Sequence, residues 1–143
     1  MGKVLNILKT KDNITFSVTP DTFVYNALEL MVEKNVSAVL VTENGKLAGI
    51  FTEKDYARKV ILKGKASKET MIGEVMTEDL ITVSPDTTID ECMRLMTNKF
   101  IRHLPVVEGN ELIGIISIGD VVKYMIEDLK YVIHNLEHYI TGT

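Results

Sequence analysis

Gly49-Ile50-Phe51-Thr52-Glu53-Lys54-Asp55 returns 65 residues later as Gly114-Ile115-Ile116-Ser117-Ile118-Gly119-Asp120. Extended outward at the same offset, residues 16–57 fall on residues 81–122 without a gap. Identities occur at Val18/Val83, Pro20/Pro85, Asp21/Asp86, Thr22/Thr87, Leu30/Leu95, Met31/Met96, Lys34/Lys99, Val41/Val106 and Leu47/Leu112. Thr19/Ser84, Val36/Ile101 and Thr52/Ser117 are conservative pairs. A fixed period held over this length marks a duplicated structural unit.

Each copy reads as β-α-β-β-α. A short strand (15–18; 81–83) runs into Thr19-Pro20-Asp21 or Ser84-Pro85-Asp86, read as a hydroxyl N-cap with proline at the first helical position. Apolar residues at helical spacing follow: Val24, Ala27, Leu28, Leu30 and Met31, then Ile89, Cys92, Met93, Leu95 and Met96. Two strands come next, 38–41 with 47–51 around Asn44-Gly45, and 104–107 with 112–116 around Gly109-Asn110. Such glycine-containing pairs between apolar runs are hairpin signals. A second helix closes each copy. The fold class is therefore α/β (α+β), with two repeats packed as a pseudo-twofold pair and an extended C-terminal helix. Residues 1–66 form the first repeat with an N-terminal helix, 67–126 the second, and 127–143 a helical extension. That extension carries Ile126, Leu129, Val132, Ile133, Leu136 and Ile140 on one stripe, for which a second subunit is the natural cover.

Composition narrows the function. The 143 residues are 45% hydrophobic and 25% charged, ordinary for a globular chain rather than a disordered one. Sixteen Lys+Arg against 20 Asp+Glu leave a net charge of -4, which disfavours a nucleic-acid binder. No apolar run is long enough to span a bilayer and no charged-then-apolar leader is evident, so no membrane is expected and the cytoplasm is the expected location. Cys92 is the only cysteine, which excludes an intrachain disulfide and a cysteine-built zinc site. The linker Lys63-Gly64-Lys65 lacks the flanking pattern of a phosphate-binding P-loop.

The chemistry concentrates in the repeated motif. Thr52 with Asp55, and Ser117 with Asp120, have the spacing of a capping box that stabilises a helix start. The same geometry suits a ligand. Free N–H groups at a helix N-terminus attract an anion, and a carboxylate can span the two hydroxyls of a ribose. Arg58 and Lys123 follow each Asp by three residues, placed either for a local ion pair or for a phosphate. Lys54 stands where the second copy has Gly119, so the two sites differ in charge. The entries to the second strand also diverge: Ser37-Ala38-Val39-Leu40 in one copy, Arg102-His103-Leu104-Pro105 in the other. A guanidinium fork fits phosphate. His134 and His138 lie four residues apart, but no third ligand is evident and a solvated face is the favoured reading; no metal is expected. Cys92 falls on a buried stripe, and no nucleophile–base pairing is legible, so an enzyme is not expected.

This β-α-β-β-α duplication, with Gly-x-x-[Thr/Ser]-x-x-Asp closing each copy, resembles a tandem pair of CBS (cystathionine β-synthase) domains, a Bateman module. The resemblance spans roughly residues 4–126, and Thr52 to Lys59, the 63–68 linker, Arg102 to Val106 and Tyr139 to Gly142 point to stand-alone CBS-pair proteins. It implies a regulatory module binding AMP, ADP, ATP or NAD(H), sometimes S-adenosylmethionine, with no cofactor required. It implies ribose at Asp55 and Asp120, with Thr52 and Ser117 on ribose or phosphate. Adenine would lie against Ser37–Val39 and Arg102–Pro105, and near Ser17–Val18 and Thr82–Val83. Arg58, Arg102, His103 and Lys123 would face phosphates, and pairs of modules would form disc-like homodimers acting on a protein target. The alternative is a constitutive dimeric scaffold in which the motifs only cap helices.

Overall fold

The duplication is visible in the backbone. In the computed structural model, which describes residues 2–11 and 15–141, helix α1 (Val4–Thr10) precedes the first repeat. That repeat comprises β1 (Ser17–Val18), α2 (Val24–Lys34), β2 (Ala38–Glu43) and β3 (Lys46–Thr52), with β1 parallel and β3 antiparallel to β2. A short α3 (Glu53–Asp55) continues through a π turn (Tyr56–Val60) and a 3-10 turn (Ile61–Lys63), ending at Gly64 with φ of 70°. Helix α4 (Ile72–Val75) then leads to α5 (Ile89–Lys99), β4 (His103–Glu108), β5 (Glu111–Ser117) and the 24-residue α6 (Ile118–Thr141). Residue 1, residues 12–14, Gly142 and residue 143, which belong to the expected repeat and extension, lie outside the described residues.

The hairpins form as their turn residues demand. Asn44 and Gly45 both have positive φ, 54° and 78°, which asparagine and glycine tolerate. Both hairpins slip register at the same repeat position, between Val41 and Thr42 and between Val106 and Val107. Two expectations need correction. Thr19 and Ser84 do not cap the helices, which begin later, at Val24 and Ile89. Each opens a turn with proline in second place instead, closed by Thr22 N–H on the Thr19 carbonyl (3.0 Å) and Thr87 N–H on that of Ser84 (3.1 Å). The strand expected at 81–83 is reduced to one parallel bridge between Val83 and Val106.

Three apolar clusters hold the molecule together, and two of them are built by exchange. The core of the first repeat (Val24, Ala27, Met31, Val39, Val41, Phe51, Val60) takes Ile72 and Val75 from α4, the helix leading into the second repeat. The core of the second repeat (Ile89, Cys92, Met96, Leu104, Val106, Ile116, Val121) takes Val4, Ile7 and Leu8 from α1, the helix leading into the first. Backbone hydrogen bonds repeat the pattern: Ile72 N–H on Thr22 O and Val4 N–H on Thr87 O, both 2.8 Å. The N-terminal helix is thus contiguous with the first repeat in sequence but packed in the second. The third cluster seams the two sheets, with Ala38, Leu40 and Ile50 against Leu112 and Ile115.

This exchange explains the motif glycines. Each lets the leading segment of the other repeat close on its strand. A Cβ on Gly49 would lie 2.8 Å from both the Met76 Sδ and the Thr77 carbonyl oxygen, whereas on Gly114 it would meet, among the described residues, only a Leu8 methyl, at 3.1 Å. Backbone cannot yield as a side-chain tip can. Gly49→Ala is expected to lower stability by about 1–3 kcal/mol and Gly114→Ala by clearly less, measured by urea unfolding.

Candidate functional site

Both carboxylates sit where a β-strand meets a helix, and both make the capping box. Thr52 Oγ1 accepts from Asp55 N–H (3.2 Å) while Asp55 Oδ2 accepts from Thr52 N–H (3.0 Å) and from the Thr52 hydroxyl (3.2 Å). Ser117 Oγ accepts from Asp120 N–H (3.2 Å) while Asp120 Oδ2 accepts from Ser117 N–H (2.8 Å). Capping is therefore real in both copies. What differs is what else reaches each carboxylate.

Asp55 is sealed. Its Oδ1 accepts from the Thr77 hydroxyl at 2.8 Å and lies 3.3 Å from the Lys59 ammonium, and its side chain is 10% exposed. Thr77 is itself fixed, exchanging backbone hydrogen bonds with Ile50 (2.8 and 3.0 Å). Arg58 does not pair with Asp55 and is exposed. The π turn takes more residues per turn than an α-helix and brings Lys59, one position on, beneath the carboxylate. Lys54 turns toward the other repeat, donating to the Phe100 carbonyl at 3.2 Å.

Asp120 is more open, with its side chain 25% exposed. Lys11, just beyond α1, donates to Asp120 Oδ2 (2.7 Å) and to the Ile115 carbonyl (2.6 Å). Among the described residues, Oδ1 has no hydrogen-bond partner. Partial burial works to raise this carboxyl, but hydrogen bonds and charge from Lys11 and Ser117 outweigh it and hold the group below its ordinary value. Lys123, like Arg58, is exposed and makes no ion pair among the described residues.

His103 joins the repeats. It stands opposite Ser117 on β4–β5, and its Nε2 is 3.2 Å from the Ser37 hydroxyl. Burial pushes its pKa down, and the charges of Lys11 and Arg102 add to this against the pull of Asp120. With Ile50, Thr77, Asp79, Leu80, Ile81, Ile101 and Pro105, His103 lines a small cleft whose walls are mostly apolar and include one carboxylate. Ala38, Val39, Leu104 and Pro105 are buried in their strands, as is Val83 at its bridge, and Val18 is partly buried. Ser17, Thr82, Arg102 and Gly119 are exposed, and the Arg102 carbonyl receives Ile118 N–H at 2.8 Å. Cys92 is wholly buried, and burial with the nearby Glu91 charge pushes its thiol up to about 11, the state of a core residue.

Sequence reasoning missed Lys11, Lys59 and Thr77. For Lys11 and Thr77 the bonds of α1 and α4 to the turns show why: Val4 corresponds to Ile72 and Leu8 to Met76, an offset of 68 rather than 65. A fixed-offset comparison runs out of register there. Lys59 takes the place expected of Arg58 through the π turn.

A family model for the CBS domain matches twice, over residues 7–62 and 72–127. The chain belongs to the CBS-domain family. It is 42% identical over 139 residues to the mitochondrial CBS domain-containing protein CBSX3 of Arabidopsis thaliana, covering 94% of this chain and 68% of that one. A solved protein with CBS domains from Burkholderia ambifaria MC40-6 shares 49% identity with a TM-score of 0.86, covering 88% of this chain and 95% of its own. The CBS domain pair of protein MJ0100, solved with 5'-methylthioadenosine and S-adenosyl-L-methionine, shares the fold at 23% identity (TM-score 0.78, 90% of this chain and 98% of that one). The CBS pair expected from the motif is what the chain carries.

Two expectations follow. Asp55→Ala strips Thr77, Lys59 and the Thr52 N–H of their shared acceptor in a buried setting and should cost about 2 kcal/mol in urea unfolding, more than Asp120→Ala. Because the folded pKa of His103 lies below the ordinary 6.5, its contribution is intact above that value and is lost as pH falls beneath it. His103→Gln should flatten the pH dependence of Tm between pH 7 and 5.

Proposed function

We propose that this CBS pair is a non-catalytic regulatory module that binds a phosphorylated adenosine ligand, AMP, ADP, ATP or NAD(H), in the cleft between its repeats. What supports this most directly is Asp120: a carboxylate at the start of a long helix, with one oxygen unpartnered among the described residues and its charge felt by His103, which lines the cleft. Ribose hydroxyls match the unpartnered oxygen, a flat base matches the apolar walls of the cleft, and phosphate matches the start of α6 and the exposed Arg102 guanidinium. The ligands of the MJ0100 pair support the adenosine part of this reading, though neither carries a phosphate. Ser117, Gly119, Thr82, Val83, Leu104 and Pro105 complete the second site. The first, at Ser17, Val18, Ser37, Ala38, Val39, Thr52, Lys54, Asp55 and Arg58, is occupied at its carboxylate by the protein's own side chains.

The module acts as a homodimer on a protein target in the cytoplasm, although the named Arabidopsis relative is mitochondrial. Among the described residues no helix is long and apolar enough to cross a membrane. Ile126, Leu129, Val132, Ile133 and Leu136 are each about half exposed on α6, a stripe that a second copy would cover. Light scattering should give twice the chain mass, and Leu129→Glu with Leu136→Glu should halve it.

Dialysed protein titrated with AMP, ADP, ATP and NADH should be stabilised by one of them, by about 2.7 kcal/mol at a hundred times its Kd. Asp120→Ala should abolish that stabilisation, and Asp55→Ala should lower the baseline while keeping it. Absence of stabilisation by every ligand would favour the constitutive scaffold, in which the carboxylates only cap.

A further inference from the structure

Lys11 has no counterpart in the second repeat. From the residue that faces the motif glycine to the first position matched between the repeats, the chain runs Leu8 to Phe16 in one repeat and Met76 to Ile81 in the other, three residues fewer. Lys11 lies within that longer connection. It is the cation that the first repeat lends to the second, and the first repeat receives only the neutral hydroxyl of Thr77 in return. Its ammonium has two acceptors, Asp120 Oδ2 and the Ile115 carbonyl, and the side chain is 29% exposed.

Asp120 is the carboxylate that the proposed function assigns to ribose, and Lys11 already holds one of its oxygens. A ribose diol spanning both oxygens competes with the ammonium for Oδ2. An ammonium in a partly buried site that loses its carboxylate needs another anion, because an unpaired charge there is costly. A phosphoryl group on the same ligand supplies one, next to the N-terminus of α6 and the exposed Arg102. A neutral nucleoside supplies none. Its ribose has to displace Lys11 without replacing its partner, or accept a single oxygen.

We propose that Lys11 makes the second site select phosphorylated over unphosphorylated adenosine, holding Asp120 in this structure and passing to the phosphate when ribose takes the carboxylate. This rests on the adenosine-binding reading and adds the charge class of the ligand and the residue that reads it. The role is one of specificity, set by a side chain far away in sequence.

The test is calorimetric titration of AMP and adenosine against the wild-type chain, Lys11→Met, Lys11→Arg and Asp120→Ala, each shown folded by circular dichroism. Wild type should bind AMP at least about tenfold more tightly than adenosine, the scale of one charge-assisted hydrogen bond. Lys11→Met should bring the ratio within about threefold, with adenosine unchanged or tighter, and Lys11→Arg should restore it. If AMP binds and the ratio survives in Lys11→Met, or wild type does not discriminate, the role given to Lys11 is wrong while adenosine binding stands. If neither ligand binds wild type or Lys11→Met, the adenosine reading falls and this inference with it.

Discussion

The segment leading into each repeat docks on the other repeat, and the rest of the structure depends on that crossing. It places Ile72 and Val75 in one core and Val4, Ile7 and Leu8 in the other, so neither repeat completes its apolar interior from its own contiguous chain. Each unit has only a two- or three-stranded sheet with a few helical segments packed on it, a small core for a chain of that length. The exchange offsets that deficit. It also fixes the two motif glycines and brings a foreign side chain onto each motif carboxylate.

Near-symmetry at the backbone then becomes asymmetry in chemistry. Thr77 and Lys59 close over Asp55, and with two oxygens fully engaged that residue is a structural clamp. Lys11 touches only one oxygen of Asp120, leaving a carboxylate that is organised but still able to accept. Duplication supplies two copies of the motif carboxylate, and divergence in the leading segments decides which side chain reaches each. The seam of Ala38, Leu40 and Ile50 against Leu112 and Ile115 packs the two sheets against each other.

Much of this was legible in the amino-acid order because it is local. Asn44-Gly45 makes its hairpin through backbone preferences of two residues, and the stripe from Ile126 to Ile140 follows from helical periodicity alone. The capping boxes could be read from their spacing of three. The crossing could not. Its segments match at an offset of 68 while the repeats match at 65, and α4 is a single turn with little periodicity to detect. The sealing of Asp55 by Thr77 and the reach of Lys11 to Asp120 span 22 and 109 residues, distances over which spacing carries no signal. Thr19 and Ser84 were misread because a hydroxyl before proline suits a turn as well as a cap.

Native-state hydrogen exchange across a urea series tests the central claim, that exchange of leading segments fuses the repeats into one cooperative unit. Amides of β2–β3 and β4–β5 should open with a common free energy and a common urea dependence, through global unfolding. Opening of β4–β5 at lower free energy, with β2–β3 still protected, would contradict it.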